Sequence, residues 1–548
     1  MIRKAILLDV RSIQRYIYAA NKLRTNIGAS YIVENLFQKK LVDVLDKEFL
    51  GSKDLHSWND AQAGISEDYD CQIAYIGGGN AMVLFKPSVD DEELKRLVAL
   101  FSQKVMIEAP GLHIGAAIGE LDVSDVGYEE SRNNLFKILK ENQNNISPNV
   151  SLPYTGFTQV CNFDGEAATF DDAEEGLFSS DDKEKHQYFS HEAAAKARVF
   201  SKANEALAAM FSKELGDTYD FPTKLEDLGQ TEPDNYIAIV HIDGNNMGVK
   251  FSKCTTLSKH RSLSASIKKK TKNSFAKLLG KIIAEYDEYR AHEALDTKEK
   301  KGKKLLPIRP LIIGGDDVTF VCPAKVAIAY SKRFIHYMVE KSSEEEIKDD
   351  EARSIDCCGG IAILNTKYPF FRGYMLSEQL CDAAKKKMRE TWDKDVQGSG
   401  SSWLDFVFLH GEQAPTLEQI LSKEYKAAMG SNSNMHFGPY CVLKNTAGKQ
   451  IDDDHLLDKL IECAKQFSQT GKDMQKNKVK GLRAVLQKDK GMIQSFMVQL
   501  NHLGQKLPSV EYGHVNSETG WGTLEGKKFT PYVDAIELMD YMEGAEIK

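Results

Sequence analysis

The stretch LIIGGDDVTF, residues 311–320, places two glycines and two aspartates between hydrophobic residues that favour β-strands. This pattern is typical of a tight hairpin, in which Gly314 and Gly315 make the turn and let a substrate lie close to the backbone. Asp316 and Asp317 then stand side by side, where their like charges repel. A divalent cation would remove that repulsion. The stretch therefore predicts a hairpin that holds a metal ion.

Elements of the same kind follow one another twice along the chain. In the first copy the order is strand, helix, hairpin, helix, strand and helix. The first copy begins with the strand KAILLDV (4–10), which a helical stretch follows. The later segments are the hairpin QIAYIGGGNAMVLF (72–85), the helix DDEELKRLVALFSQKVM (90–106), the strand LHIGAAIGEL (112–121) and the helix YEESRNNLFKILKENQ (128–143).

The second copy contains the GGDD hairpin and repeats this order in full. Its pieces are NYIAIVHIDGNNMG (235–248), SFAKLLGKIIAEYDEYRAHEAL (274–295), PLIIGGDDVTFVC (310–322), AKVAIAYSKRFIHYMVEK (324–341), DCCGGIAILN (356–365) and LSEQLCDAAKKKMRE (376–390). Two copies of this size are too few and too long for a solenoid. The duplication predicts two similar domains that can face each other.

An aspartate also ends the first strand of the second copy, where Asp243 follows AIVHI. If the hairpin lies beside this strand, Asp243 converges with Asp316 and Asp317 at one edge of the sheet. Clustered carboxylates suit a hard cation, magnesium by preference, with the phosphates of a nucleotide as further ligands. Two metal ions held in this way can activate an attacking hydroxyl and stabilise a leaving pyrophosphate.

The residues after Asp243 turn into the next helix as GNNMG, and they are candidates for phosphate binding. Backbone N–H groups in such a turn can hold a triphosphate, as helix N-termini hold anions. Lys385 could reach the same triphosphate from the last helix, although it could equally be a solvated lysine. The proposed turn residues are Gly244, Asn245 and Asn246.

The hairpin of the first copy reads GGGN, residues 77–80, and has no carboxylate for a metal ion. We therefore expect this copy to be non-catalytic, although Asp9 still ends its first strand. Gly78, Gly79 and Asn80 could approach a bound nucleotide. The alternative is a purely structural copy.

Bulk properties set the class of protein. A chain of 548 residues with 42% hydrophobic residues predicts several globular domains, and a net charge of -9 argues against a surface that binds nucleic acid throughout. The nine cysteines show no CxxC pair and no zinc spacing. No segment predicts a membrane span or a secretion signal, so we expect a cytoplasmic protein without a membrane partner.

Together these motifs resemble the large polymerase-cyclase subunit of type III CRISPR effector complexes. RSIQRYIYAANKLRTNIGASYIVENLF (11–37) is similar to the opening of that family's first palm domain, and GGGN to its degenerate first hairpin. HIDGNNMG and IIGGDDVTF resemble its active second palm. GGIAILNTKYPFFRGYMLSEQLCDAAKKK (359–387) resembles the segment after the active hairpin.

The resemblance implies an α+β fold with two ferredoxin-like palm domains that hold two ATP molecules at their interface. One ATP attacks the other, and repeated transfer with ring closure yields a cyclic oligoadenylate messenger when target RNA is bound. By resemblance, the metal ions (magnesium or manganese) are bound by Asp243, Ile242 and Asp316 with help from Asp317. Gly314 and Gly315 line the nucleotide site, and the GGGN residues help to hold the acceptor ATP.

The domains are predicted as a first palm (1–148), a linker with one helix at 191–215 (149–230), a second palm (231–400) and a mostly helical C-terminal domain (401–548). The chain begins directly with the palm strand, so we expect no HD nuclease domain and no DNA cleavage. Cys161 stands where the family often has a cysteine zinc site, but its partner cysteines are missing. The sequence also has GNN where the family often has a further acidic residue.

Three functions are compatible with the sequence. The first is a magnesium-dependent nucleotidyltransferase that makes cyclic oligonucleotides from ATP, together with other CRISPR subunits and guide or target RNA. The second is a catalytically silent scaffold of an RNA-guided complex, although a scaffold has no need of clustered carboxylates. The third is a free-standing cyclase that makes another cyclic nucleotide. A diguanylate-type cyclase shares the palm but normally pairs identical domains.

Overall fold

The structure is a computed structural model of the whole chain. It describes residues 1–20, 22–60, 63–145, 156–171, 187–231, 235–291, 295–391, 400–410, 416–428, 433–444, 451–469, 476–508, 510–516, 518–524 and 526–542. Cys161 lies in this part, buried.

The first palm is built on a five-stranded sheet whose central strand, Ile2–Arg11, pairs antiparallel with a hairpin strand on one side and with the last strand on the other. Consecutive residues of the central strand, such as Leu7 and Leu8, are buried on opposite faces of the sheet. The apolar run from Ala5 to Leu8 in this strand therefore requires cover on both sides of the sheet. In sheet order the strands are Lys53–Asp54, Cys71–Gly77, Asn80–Phe85, Ile2–Arg11 and His113–Asp122.

The second palm has a six-stranded sheet with Tyr236–Gly244 at its centre. Its strands, in sheet order, are Arg309–Gly314, Asp317–Pro323, Tyr236–Gly244, Cys357–Asn365, Ser402–Phe408 and Tyr440–Leu443. The fourth and fifth strands run parallel, and the other neighbouring pairs are antiparallel. The sheet therefore continues past residue 400, where we placed the end of this domain. That boundary remains a prediction.

The two palms share one strand arrangement. In each palm the hairpin lies beside the central strand, and the central strand lies beside a further strand, His113–Asp122 in the first palm and Cys357–Asn365 in the second. Each hairpin closes with a two-residue turn. The register of the first hairpin strand even shifts at the same place, between Ile73 and Tyr75 in the first palm and between Pro310 and Ile312 in the second. The predicted duplication and the α+β class with paired palms are thus confirmed.

Helices cover these sheets in the predicted order, with some different bounds. Those of the first palm are Ile13–Tyr18, Leu23–Asn35, Val42–Glu48, Asp91–Glu108 and Tyr128–Asn144, with a π-helical turn at Leu36–Leu41. Those of the second palm are Met247–Ser252, Leu257–Ala284, Tyr286–Ala291, Ala324–Val339 and Phe370–Thr391. The helix Leu257–Ala284, called the long helix below, begins 17 residues before the predicted start at residue 274.

The linker and the C-terminal region are mixed. The helix predicted at 191–215 is divided into His191–Arg198, Phe200–Met210 and Ser212–Leu215, and short strands lie at Phe170–Asp171, Tyr188–Phe189, Tyr219–Asp220, Glu299–Lys300 and Lys303–Leu305. C-terminal helices are Leu417–Glu424, Leu457–Ser468, Lys476–Leu486, Lys490–His502 and Tyr532–Leu538. A small sheet there has the strands Ser433–Asn434, Val515–Asn516, Trp521–Leu524 and Lys527–Phe529.

Buried apolar side chains of both palms and of the C-terminal region belong to one continuous core cluster. The cluster holds the central strand of the second palm from both faces, because Ile239 and Val240 point in opposite directions and are both fully buried. The end of that strand is therefore fixed in place. Within the described residues, no helix is both long and apolar enough to cross a membrane.

Candidate functional site

Asp243 and Asp316 form the centre of the candidate site. Asp243 is the penultimate residue of the central strand, and Asp316 lies in the hairpin turn beside it. A Cβ atom added at Gly244 would lie 2.8 Å from Cβ of Asp316, so the glycine allows the turn to approach. Burial and the neighbouring Asp243 carboxyl raise the pKa of Asp316 well above its ordinary value. The carboxyl groups face each other within hydrogen-bonding reach.

Lys385 forms an ion pair with the same site. Its Nζ contacts Oδ2 of Asp243 from the helix Phe370–Thr391. Burial alone would lower the pKa of Lys385, but the charge of Asp243 outweighs it and raises the pKa above the ordinary value. The positive charge of Lys385 thus neutralises one of the two carboxylates.

Asp317 occupies a different position from its neighbour. Its Oδ1 lies 3.2 Å from Nδ1 of His241, on the sheet face that packs against the helix Phe370–Thr391. The three aspartates do not form a cluster whose ligand atoms all lie within 4.8 Å of one another; among the described residues one such group exists, Asp452, Asp454 and His514 in the C-terminal region. The structure therefore brings Asp243 and Asp316 together, but not Asp317.

The acidic group in the C-terminal region is already satisfied internally. Asp454 accepts hydrogen bonds from Lys459 and from the backbone N–H groups of Gly513 and His514, and His514 pairs with Asp452. Its carboxylates therefore have charge partners from the protein itself.

The two asparagines of the turn after Asp243 differ in the partners of their polar groups. Asn246 adopts a left-handed conformation, with φ of 59°, at the start of the next helix, and its side-chain Nδ2 is buried with no hydrogen-bond partner among the described residues. Asn245 is only 1% exposed, its backbone N–H donates to the carbonyl of Asp356, and its side chain donates to Ser401. In this conformation Asn245 is not available to a phosphate.

The remaining candidates of the second palm lie at the hairpin and in the strand. Gly314 and Gly315 are partly exposed at the hairpin, and Gly315 has φ of 53°, which L-residues with side chains rarely adopt. The side chain of Ile242 is fully buried, so only its backbone carbonyl could serve as a ligand.

The first palm has the same geometry with different chemistry. Asp9 lies two residues before the end of its central strand, opposite Asn80, and its Oδ2 accepts a hydrogen bond from Gln143 at 2.9 Å. Gly78 and Gly79 have positive φ angles and form the turn. Gln143 comes from the last helix of the first palm, as Lys385 comes from the last helix of the second. An amide thus takes the place of the ammonium group, and the turn offers no carboxylate.

Three residues near the site were missed by the sequence reasoning. Gln143 donates to Asp9 in the first palm, and His241 contacts Asp317 in the second. Tyr374 packs against His241 with ring centroids 5.8 Å apart. His241 could have been found, because a residue two positions before Asp243 lies on the same face of the strand. The others depend on helix placement, for which the sequence holds no local signal.

The residues of the second palm fit a hard divalent cation. Asp243 and Asp316 offer carboxylate oxygens from adjacent strands, which are the ligands that Mg²⁺ and Mn²⁺ prefer. Two partly buried carboxylates that face each other are unfavourable without a proton or a cation between them. The raised pKa of Asp316 is the sign of this unfavourable contact.

A family model described as Cas10/Cmr2, second palm domain, matches residues 236–393. This span runs from the first residue of the central strand to just beyond the helix that carries Lys385, so it contains the whole carboxylate site. The comparison with curated proteins found no match.

Solved structures share the fold of the chain. A Csm1-Csm4 cassette in complex with AMPPNP has a TM-score of 0.50 and 15% identity, over 99% of this chain and 70% of that chain. Csm1 in T. onnurineus gives 0.47 and 11%, over 99% and 70%. A Csm1-Csm4 cassette in complex with cA4 gives 0.41 and 14%, over 74% and 54%.

This chain thus spans between 54% and 70% of the length of these solved chains. At such identities the likeness concerns the fold alone, and it agrees with the two palms described above. Residues 236–393 therefore match the second palm domain of the Cas10/Cmr2 family, in agreement with the resemblance of its motifs.

Proposed function

We propose that this protein is a magnesium- or manganese-dependent nucleotidyltransferase that condenses ATP into cyclic oligoadenylate-type messengers. In each transfer the 3′-hydroxyl oxygen of one ATP bonds to the α-phosphorus of another. The bond from that phosphorus to the pyrophosphate oxygen breaks, and the hydroxyl proton is released. Ring closure repeats this step within one chain of nucleotides.

The observation that carries this proposal is the facing pair of Asp243 and Asp316. Lys385 neutralises one of these two facing carboxylates, so an excess negative charge remains at the strand end and the turn, and it destabilises the fold. The two carboxylates are therefore better explained by a ligand than by packing. Asp243, Asp316 and the backbone carbonyl of Ile242 would hold the metal ion, which when bound stabilises negative charge on phosphate oxygens.

Other residues of the second palm would bind and orient the nucleotide. Lys385 would exchange its contact with Asp243 for a phosphate once the metal ion neutralises the carboxylate. Gly314 and Gly315 leave room for the ligand at the hairpin, and the turn around Gly244 and Asn246 offers further polar groups. Asp317 contributes indirectly, through its contact with His241.

The first palm would bind the acceptor nucleotide without a metal ion of its own. Gly78, Gly79 and Asn80 stand where the second palm has Gly315, Asp316 and Asp317, and Asp9 is already bonded to Gln143. This division agrees with two unequal palms in one chain. The domain boundaries proposed from the sequence place each hairpin within its own palm.

We also propose that the protein acts with other CRISPR effector subunits and with guide and target RNA. Support comes from its Cas10-like second palm and from fold neighbours that were solved as Csm1-Csm4 cassettes, some with ATP or cyclic oligoadenylates.

The ion pair of Lys385 with Asp243 favours a second candidate, a silent scaffold, because a neutralised carboxylate needs no metal ion.

One experiment separates the two candidates. The purified protein is incubated with each nucleoside triphosphate and Mg²⁺ or Mn²⁺, with and without RNA, and the products are identified by mass spectrometry. The variant Asp316→Ala/Asp317→Ala is compared with Asp125→Asn, a change to an exposed aspartate far along the chain from the hairpin.

We expect adenylate oligomers from the wild type and from Asp125→Asn, and none from the double variant, which should remain folded. Full activity in the double variant would remove the second-palm site. If no triphosphate reacts in any arm, with or without RNA, the nucleotidyltransferase proposal fails and the scaffold is the better candidate.

A further inference from the structure

A buried aromatic stack joins the two palms beneath the catalytic hairpin. Tyr18 ends the first helix of the first palm, and Tyr374 lies in the last helix of the second palm. Their ring centroids are 3.7 Å apart with planes inclined by 23°, and the two side chains are 0% and 1% exposed. The stack thus fixes one helix of each palm against the other.

The stack continues to the hairpin through His241. The ring of His241 meets Tyr374 edge-on at 5.8 Å, and its Nδ1 lies 3.1 Å from Oγ1 of Thr319 and 3.2 Å from Oδ1 of Asp317. Thr319 and Asp317 belong to the second hairpin strand. A continuous series of contacts therefore runs from the first palm to the second aspartate of GGDD.

This cluster contains more polar atoms than packing needs. The hydroxyls of Tyr18 and Tyr374 are buried without a hydrogen-bond partner among the described residues. Phenylalanine at position 374 would keep the ring contacts and avoid an unsatisfied hydroxyl. A polar cluster that lowers stability, beside a functional turn, indicates a role at that turn.

The position of Asp317 makes such a role specific. Asp317 follows Asp316 directly, and its backbone pairs with Gly314 to close the hairpin. A displacement of the Asp317 side chain would therefore also move Asp316, which is one peptide unit away. Asp316 must remain next to Gly244 to face Asp243. Asp317 itself does not join the carboxylate pair.

We propose that Tyr18, Tyr374 and His241 are positioning residues through which the first palm holds Asp317, and with it the Asp316 turn, in its reactive place. The first palm thus contributes to the reaction at the second through packing as well as through a bound nucleotide. This inference rests on the proposed function, because it concerns the same hairpin.

The test is a double-mutant cycle between Tyr18→Leu and Asp317→Asn. Each variant and the double variant are assayed for kcat and for KM of ATP with Mg²⁺. Binding of Mn²⁺ in the presence of AMPPNP is measured by electron paramagnetic resonance. Tyr330→Leu is the matched control, because Tyr330 is also fully buried with an unpartnered hydroxyl but lies in the helix Ala324–Val339.

We expect Tyr18→Leu and Asp317→Asn each to lower kcat about tenfold, and the double variant to be no slower than the slower single variant. Mn²⁺ affinity and KM should change less than about threefold, whereas Asp316→Asn should lose Mn²⁺ binding. Tyr18→Phe keeps the stack and should stay within about twofold of wild type, which covers the case in which Tyr18→Leu does not fold.

The proposal is overturned if the two effects multiply, or if Tyr18→Leu is no slower than Tyr18→Phe and the control Tyr330→Leu. If the wild type forms no product, the proposed function fails instead. The same double-mutant cycle is then measured by the midpoints of denaturant unfolding. Non-additive effects of the Tyr18 and Asp317 substitutions would support a coupling between the two residues, and additive effects would exclude it.

Discussion

At the scale of single residues, the two palms differ by the charge that faces their strand-end aspartates. Asp9 accepts a hydrogen bond from the neutral Gln143, and Asp243 pairs with the cationic Lys385 and also faces Asp316. In the first palm the aspartate has a neutral hydrogen-bond partner. In the second palm two carboxylates and one lysine leave an excess negative charge, which a bound cation can neutralise.

Asp243 is the residue on which metal binding depends most. Asp243→Asn keeps the shape of the side chain but removes its charge, so we expect the rate of condensation to fall by a factor of about 100 or more. Mg²⁺ with ATP should raise the melting temperature of the wild type and do so much less for the variant. Without metal the two melting temperatures should be similar. Equal shifts with Mg²⁺ and ATP would exclude Asp243 from the site.

Asp316 should be costly to the fold when no metal is bound. Its pKa is raised above that of an unfolded aspartate, so its charged form destabilises the folded state at neutral pH, and this cost disappears as the pH falls through the raised pKa. In EDTA at pH 7.5, Asp316→Asn should raise the melting temperature by about 2 to 4 °C for each 1 kcal/mol relieved. A lower melting temperature would show that the pair is not strained.

Asn80 tests the division of labour between the palms. Because the GGGN turn has no carboxylate, Asn80→Ala should weaken binding of the acceptor nucleotide or shorten the products while Mn²⁺ binding at the second palm persists. Product length by mass spectrometry and Mn²⁺ binding are measured on the same sample. A variant as inactive as Asp316→Asn would give the first palm a direct chemical part.

At the scale of elements, the strands and hairpins could be predicted closely, because their apolar runs and glycine turns are local signals. The strand at 4–10 extends over Ile2–Arg11, and the hairpins are where GGGN and GGDD predicted them. The pairing of Asp243 with Asp316 also followed from the element order, since the hairpin lies beside the central strand.

The long helix could not be predicted to its true start, because its first half buries polar side chains. His260, Arg261, Lys270 and Thr271 are all at most 9% exposed, in contacts with the first palm or with the segment near residue 340. Tertiary partners thus replace the apolar stripe that marks a helix in sequence. The same holds for Ser402–Phe408, a sheet strand in a region predicted as mostly helical, where Asp405 is buried against a histidine.

That histidine, His436, links the fifth strand of the second sheet to the helix Tyr532–Leu538. Its Nε2 lies 2.9 Å from Asp405 and its Nδ1 3.0 Å from Asp534, with all three side chains buried. Burial opposes the charged ring, but the two carboxylates outweigh it and raise the pKa of His436 well above its ordinary value.

A raised pKa means that the stabilisation by His436 is complete below about pH 6.5 and is lost as the pH rises through the folded-state pKa. Denaturant unfolding between pH 6 and 9 should therefore show falling stability. His436→Gln should lose about 3 to 5 kcal/mol at pH 6, because two buried carboxylates remain without a cation. A variant with wild-type stability at pH 6 would contradict the charged network.

At the scale of the whole molecule, the palms are joined on two sides. Tyr18 and Tyr374 stack beneath the second hairpin. On the other side, His260 stacks on Tyr75 at 4.5 Å and Arg132 of the first palm donates to the carbonyl of Cys254 at 3.0 Å. Each palm thus places side chains from its helices next to the hairpin of the other.

Arg261 of the long helix is the strongest link in this junction. Its guanidinium donates to the backbone carbonyls of Ile73, Ala74 and Ala63 in the first palm, and it is 3% exposed. Arg261→Met keeps the apolar length but leaves three carbonyls without this donor, so we expect a loss of about 3 kcal/mol or more. If the two palms enclose two ATP molecules, as the proposed function requires, condensation should fall further than stability alone explains.

The measurement is calorimetric unfolding together with the rate of condensation. In Arg261→Met the ratio of van't Hoff to calorimetric enthalpy should fall, as the palms begin to unfold separately. Lys268→Met, at an exposed position of the same helix, is the control and should resemble the wild type. If Arg261→Met unfolds with unchanged cooperativity and keeps its full rate, the palms do not depend on this contact, and the enclosure of two nucleotides between them must rest on the Tyr18 side of the junction.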